Sequence, residues 1–417
     1  MSNPDPFDWN AAFAGRADRM RASEIRELLK LLDQPDIISF AGGIPDPALF
    51  PTQVVSEACA SVLAGPQGAQ PLQYSISEGY APLRRWIAER MTGLGAPCDV
   101  DSIVITSGSQ QGLDFLGKLL LSVGDTALVA APTYLGALQA FNPYEPRYDI
   151  LRLGETNVTP EAYRAAADAA GSRLALAYAV PDFANPTGET VSEASRLRLL
   201  DLADDLGVPL IEDGAYAALR FEGEAVRSCL ALDIARRGHI DRSRVIYCGT
   251  FSKTIAPGLR VGWICAAREL VAKIVLAKQA GDLHSSTLSQ MVMHAVAEAV
   301  YDRQVGEIVA VYAQRRDAML AALARHMPPG VSWTKPQGGM FVWITLPAGL
   351  DGAELLAASI AEERVAFVPG GAFFVDGTGS NTIRLSYSLQ SPGDIEEGVG
   401  RLGRLVGRLY PRFSTGT

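Results

Sequence analysis

From Ile103 onward the chain repeats one pattern: a short, uninterrupted apolar run, an amphipathic stretch of helical period, then another apolar run. The runs are 103–106, 126–130, 174–180, 208–212, 245–248 and 261–265. The segment Glu193–Leu206, ended by Gly207, is the clearest of the intervening helices. A strand apolar at every position is covered on both faces, and strands joined through helices run parallel. The pattern therefore predicts an α/β fold with a largely parallel sheet. After about Ser285 the character changes. A long helical stretch through Ala324 is followed by strand candidates at 341–346, 365–368 and 383–387, which predicts a smaller α+β domain. A length of 417 residues suits two domains rather than one core.

The formal net charge of −9 argues against a duplex-binding surface, so nucleic acid is not an expected partner. Cys59, Cys98, Cys229, Cys248 and Cys265 are widely spaced and form no C-x-x-C pair, the pattern of reduced intracellular thiols rather than of a disulfide scaffold or zinc site. With 4 His and no H-E-x-x-H, no metal centre is expected. The first ten residues carry Asp5 and Asp8 and do not read as a signal peptide, and no run reaches the ~18 apolar residues of a membrane span. The expectation is a cytoplasmic protein without a membrane partner.

In open α/β sheets ligands bind beyond the strand ends, so the residues following each run carry the chemistry. Ser107-Gly108-Ser109-Gln110 follows the first run and opens a helix, whose N–H groups favour an anion; a plain strand-to-helix turn accounts for it equally well. Asn185-Pro186-Thr187-Gly188 has the chemistry of a turn, with Asn185 free to point at a ligand. Asp213 and Tyr216 put a carboxylate and a phenol beyond the next strand, where they suit a protonated heterocycle nitrogen and a ring oxygen; a surface Asp beginning a turn is the alternative. In "GTFSKTIAPGLRVGW", Lys253 is surrounded by Thr250, Ser252 and Thr254, with Arg260 seven positions on. A lysine and an arginine on such Gly-rich, apolar ground suggest an imine-forming amine beside a phosphate-binding guanidinium.

Taken together and in order, N-P-T-G, D-x-x-Y and T-x-S-K followed by P-G-x-R-x-G-W resemble the signature of the class I/II aminotransferases, pyridoxal-phosphate (PLP) enzymes of fold type I. The resemblance runs from the N-terminal helix to about Val406. "SFAGGIPDP", "TSGSQQGLD", "GGMFVW" and "IRLSY" bring it nearest to the 2-aminoadipate and broad-specificity subgroup. It implies a large domain over 41–290 with a mainly parallel seven-stranded sheet, a small domain over 291–417, and an N-terminal arm over 1–40 whose helix lies above the active site.

The resemblance also assigns roles. Lys253 holds PLP as a Schiff base and, once freed, moves the substrate proton. Asp213 pairs with the pyridinium nitrogen. Tyr216 and Asn185 bond the ring's phenolate oxygen, and Tyr134 stacks on the ring. The Ser107–Gln110 amides, Thr250, Ser252 and Arg260 meet the phosphate, joined by Tyr74 from a second subunit, which implies a homodimer with shared sites. Arg384 grips the substrate α-carboxylate, and Gly43 lies in the substrate-facing loop. Arg26, assisted by Ser23, either binds the distal carboxylate of an acidic side chain or is a solvated helix arginine paired with Glu24 or Glu27. "DGAYAALRF", Thr250 and Asp182–Ala184 depart from the family's usual residues and leave the substrate open. The same fold also serves β-lyases, racemases and decarboxylases, and PLP-sensing MocR-type regulators; only about 20 residues precede the first family segment here, too few for a DNA-binding domain.

Overall fold

The structure, a computed structural model, describes residues 7–20, 36–66, 68–153 and 158–414, with side chains to 409. Residues 21–35, which include the expected N-terminal helix with Ser23 and Arg26, lie outside the described residues.

A seven-stranded sheet forms the centre. Its strands in chain order are β1 Ile103–Thr106, β2 Thr126–Ala130, β3 Arg147–Leu151, β4 Leu174–Ala179, β5 Leu210–Asp213, β6 Val245–Thr250 and β7 Gly262–Cys265. They lie in the order β1-β7-β6-β5-β4-β2-β3, and only β7 runs antiparallel to its neighbours. Six strands match the apolar runs to within two residues at each end. The seventh, β3, was not among those runs. It pairs only with β2 at the edge of the sheet, so "RYDIL" keeps polar, half-exposed positions that carry no apolar signal.

Both faces of the sheet are buried. Val104, Val129, Tyr178, Ile211, Ile246 and Ile264 pack into one core, whereas Ile105, Leu128, Ala177, Leu210, Tyr247 and Trp263 pack into the other. Side chains alternate across a strand with period 2, which is why every position of these runs is apolar. Each such aliphatic burial contributes about 1.5–3 kcal/mol. Helices α1 Ser109–Leu120, α2 Glu193–Leu206, α3 Cys229–Arg237 and α4 Arg268–Gly281 cover the faces. Helix α2 begins on the Ser192 hydroxyl, which accepts from the Ser195 N–H, and ends at Gly207 in the left-handed region (φ 72°).

Helix α5, Thr287–His326, is continuous for 40 residues. Val292–Tyr301 pack into the core on one face of the large sheet, and Ile308–Leu323 into the core on its other face, which continues into the C-terminal part of the chain. The expected division at 290 thus falls in the first turn of a helix that serves both parts. The small domain carries β8 Ser332–Trp333, β9 Phe341–Thr345, β10 Val368–Pro369 and β11 Thr382–Ser386, in the antiparallel order β10-β11-β9-β8, and ends with α6, Pro392–Ser414. The expected single strand over 365–368 is divided: Val365–Ala366 pair in parallel with Ile38–Ser39, and Val368–Pro369 pair with β11. The N–H of Phe40 donates to Ala366 O (2.7 Å) and the N–H of Ser386 to Phe40 O (2.8 Å), so the segment before the Gly42-Gly43 loop is laced to the small domain.

Candidate active site

The C-terminal ends of β1, β4, β5 and β6 open on one side of the large sheet, and β11 approaches from the small domain. A cavity of about 150 Å³ lies there, lined among others by Ser109, Gln110, Tyr134, Asp213, Tyr216, Thr250, Ser252, Lys253 and Arg260.

Lys253 follows β6 by one turn. Its Nζ donates to Gly43 O at 3.1 Å and stands 5.9 Å from the centre of the Tyr216 ring. It keeps some exposure into the cavity. Burial, with the Arg384 and Arg260 charges nearby, brings its pKa down to about 8 against the pull of Asp213. An ordinary lysine titrates near 10.4, so this amine is far more often neutral near neutral pH. In the apoprotein, amine-selective reagents should modify Lys253 with a half-maximal rate near pH 8, while surface lysines lag by roughly two pH units. Peptide mapping of the labelled protein across pH checks this, and a Lys253 profile matching the surface lysines contradicts it.

Asp213 closes β5 and is 3% exposed. Its Oδ2 accepts from the Tyr178 hydroxyl at 2.8 Å and its Oδ1 from the Ala215 N–H at 3.3 Å. Burial raises its pKa to about 6; the bonds from Tyr178 and Ala215, and the Lys253 charge, act the other way. Arg384, buried on β11, reaches across the domains. Its Nη1 donates to Asn185 Oδ1 and its Nη2 to Ala41 O, both at 2.8 Å, and its guanidinium lies 4.4 Å from the Phe341 ring centre and 5.3 Å from that of Phe373. Its Nε has no partner among the described residues. Burial lowers its pKa to about 10, so it stays charged. Asn185 Nδ2 donates to the Tyr216 hydroxyl at 3.4 Å, which ties the two turns together. A Cβ on Gly43 would sit 3.0 Å from Phe341 and 3.7 Å from Arg384 Nη2, which places Gly43 against the arginine.

At the other end of the cavity the chain builds an anion cradle. Four backbone amides were expected there, and two are corrected. The Ser107 N–H donates to Gln111 Oε1 (2.8 Å) and the Gly108 N–H to Thr106 O (2.8 Å), so both are committed. The amides of Ser109 and Gln110, first in α1, have no helical carbonyl behind them and point from a helix N-terminus. The Gln110 side chain turns instead to Gly136 O (2.6 Å). Arg260 Nη2 donates to Ser107 O at 3.1 Å, and the Thr250 and Ser252 hydroxyls lie 2.8 Å apart. Gly108 sits at φ +81° with Arg260 only 2.5 Å from where a Cβ would be. A Cβ on Gly262 would fall 2.7 Å from the Ser109 nitrogen. Only glycine fits at these two points.

Tyr74 is 79% exposed and does not line this cavity; its ring meets His284 at 6.1 Å. Two departures from the family pattern have structural causes. Asp182 turns into the protein, where Oδ1 accepts from the fully buried Arg196 at 2.7 Å, and it does not line the cavity. Gly214 is required because Tyr247 Oη lies 2.1 Å from where a Cβ would be. Sequence reasoning missed Tyr178, a lone hydroxyl in "LALAYA", and the buried Lys278. Lys278 Nζ reaches Asp282 (3.1 Å) and Ser285 (3.0 Å), and Ser285 Oγ accepts from Ser107 Oγ (3.2 Å) behind the anion cradle.

A lysine with a depressed pKa, a buried carboxylate opposite it, and an anion cradle of helix N-terminus and arginine that any Cβ would block fit pyridoxal phosphate. With the seven-stranded, mostly parallel sheet they define a PLP-dependent transferase of fold type I. The chain belongs to the class I and II aminotransferases: the model of that family matches residues 36–402. It is 42% identical to aromatic-amino-acid aminotransferase 1 of Thermococcus litoralis, over 96% of this chain and 95% of that protein. It is 44% identical to the 2-aminoadipate transaminase of Thermus thermophilus, over 96% of this chain and 98% of that protein. The crystal structure of the α-aminoadipate aminotransferase of Thermus thermophilus, complexed with N-(5′-phosphopyridoxyl)-L-leucine, superposes with a TM-score of 0.87 at 41% identity, covering 97% of this chain and 100% of that one. The protein is a PLP-dependent aminotransferase.

Proposed function

We propose that the enzyme accepts L-amino acids with acidic and with neutral side chains, 2-aminoadipate, glutamate, branched-chain and aromatic ones among them. It passes the amino group to a 2-oxo acid such as 2-oxoglutarate by ping-pong chemistry. The support is one observation above all: Lys253, Asp213 and Arg384 converge from two domains, with Gly43 in contact range of both Lys253 and Arg384. The relatives named for 2-aminoadipate and for aromatic amino acids support the breadth of side chain.

Bound PLP supplies an electron-withdrawing ring that stabilises negative charge at the substrate Cα. In our reading Arg384 holds the α-carboxylate through charge-assisted bonds, its plane fixed by Asn185, Ala41 and Phe341. Lys253, whose pKa of about 8 leaves a usable neutral fraction near neutral pH, is placed to take the proton from Cα and to return one on the cofactor side. Asp213 would pair with the ring nitrogen, Tyr216 and Asn185 with the ring oxygen, and Tyr134 would cover the ring face. Ser109, Gln110, Thr250, Ser252 and Arg260 would hold the phosphate. The enzyme works as a cytoplasmic homodimer in which Tyr74 serves the neighbouring site; its exposure beside Leu72 (72%) and Ile76 (55%) supports this, and a monomeric mass in solution contradicts it. No described helix is long and apolar enough to cross a membrane.

Arg26 and Ser23 are proposed, on sequence resemblance alone, to meet the distal carboxylate of acidic substrates. A charge-assisted bond contributes roughly 1.5–3 kcal/mol, so Arg26→Ala should lower kcat/KM for 2-aminoadipate and glutamate about ten- to a hundredfold and spare leucine and phenylalanine. A screen of amino donors against 2-oxoglutarate and pyruvate, run on both proteins, tests the whole reading. Transfer from both acidic and neutral donors is expected. Elimination or racemisation without amino transfer contradicts it, and equal losses across donors in the variant remove Arg26 from the site.

A further inference from the structure

Tyr178 is 0% exposed in the middle of the sheet, and none of the roles above uses it. Its neighbours Ala177 and Ala179 face the opposite core. On its own face Tyr178 stands in register with Ile211 of β5, and Asp213 is two residues further along that strand on the same face. Long side chains lean along a strand, which carries the phenol the extra step to the carboxylate. Its ring is already packed edge-on against Phe141 (5.9 Å). A phenylalanine fills the same volume, so packing does not call for the hydroxyl.

The polar surroundings of Asp213 define what the hydroxyl does. Oδ1 accepts from the Ala215 N–H, and Oδ2 accepts from Tyr178. Cys248 lies beside it in register on β6, Tyr216 lies in the turn after β5, Tyr247 and Glu212 stand on the opposite face of the sheet close enough to act on it, and Lys253 is the cation that acts on it. Tyr134 faces Tyr178 itself. The Tyr178 hydroxyl thus donates a side-chain hydrogen bond directly to this carboxylate.

We propose that Tyr178 is a positioning residue of the cofactor site: its hydroxyl, donated to Asp213 Oδ2 at 2.8 Å, fixes the carboxylate's orientation and keeps it ionised toward the cofactor's ring nitrogen. This rests on Asp213 as the ring-nitrogen partner. Donation to the charged form opposes the burial that otherwise favours a neutral acid. Without it, Asp213 protonates at higher pH and turns more freely.

The test compares the holoenzymes of wild type, Tyr178→Phe, Asp213→Asn and the double variant. The bound cofactor, labelled with nitrogen-15 in its ring, is followed by NMR across pH beside the kcat/KM profile and the melting temperature. In Tyr178→Phe the ring-nitrogen transition and the acidic limb of kcat/KM should move together by about one pH unit, a tenfold change in acidity, with the limb shifting upward. In the Asp213→Asn background, Tyr178→Phe should move neither. Incorporating 3-fluorotyrosine at 178, a stronger donor of nearly the same shape, should move the limb the other way and guards against a loss of fold in the phenylalanine variant. A lowered melting temperature with an unmoved limb and nitrogen signal overturns the proposal, as does a shift that persists in Asp213→Asn. If Asp213→Asn itself leaves the nitrogen signal unchanged, it is the role of Asp213 that fails.

Discussion

Lys253→Ala lowers amino transfer by at least about 10⁴-fold, the upper range for a positioned acid–base group, because the same residue also anchors the cofactor. No second amine replaces it. Lys278 is fully buried against Asp282 and Ser285 behind the anion cradle, its amine turned toward those partners. The variant should fold. The wild-type amine is held at about pH 8, below its unfolded value near 10.4. The unfolded chain therefore binds more protons between these values, and the charge on Lys253 costs stability throughout the range below about 8. Removing it should leave the apoprotein at least as stable at pH 7, offset by the lost bond to Gly43 O. Activity assays, visible absorbance and thermal unfolding decide the matter together. An unfolded variant, or one retaining a tenth of wild-type turnover, contradicts the account.

Asp213→Asn should retain PLP and lower kcat by about 10²–10³-fold, the range for removing a preorganised charge from a dry site. Stability should move in the opposite direction. Burial raises the pKa of Asp213 to about 6, above its unfolded value near 3.9. The folded state thus holds the extra proton between about 4 and 6, stability falls as pH rises through that window, and the cost is complete at pH 7. The amide removes that cost, so apo Asp213→Asn should melt no lower than wild type at pH 7. Slow chemistry in a protein of equal or greater stability is the pattern of a functional group rather than a structural one. Unchanged kcat, or a collapse of both quantities, removes Asp213 from the role of ring-nitrogen partner.

The legible parts of this molecule were those governed by local rules. Continuous apolar strands announced a sheet buried on both faces, and Gly207 marked the end of one helix. The residues after the strand ends met in one cavity because parallel strands put their C-termini on one side. Illegible were features that depend on partners distant in sequence. The edge strand Arg147–Leu151 has too little burial to leave a pattern. The amides of Ser107 and Gly108 look free in sequence, yet Gln111 and Thr106 claim them. Asp182 and Gly214 read only as departures from the family pattern until the bond of Asp182 to Arg196 and the ring of Tyr247 beside Gly214 are seen. Tyr178 offered one faint signal, a single hydroxyl in an alanine-rich strand, and its meaning required the register with β5.

The central claim is that Lys253 carries the cofactor. Reducing the PLP-loaded enzyme with borohydride and mapping the phosphopyridoxyl group by peptide mass spectrometry tests it most directly. The account predicts one modified peptide, with the group on the lysine of "TFSK", and loss of that label when a good amino donor is added before the reductant. A group found on Lys273 or Lys278, or label undiminished by the donor, contradicts it.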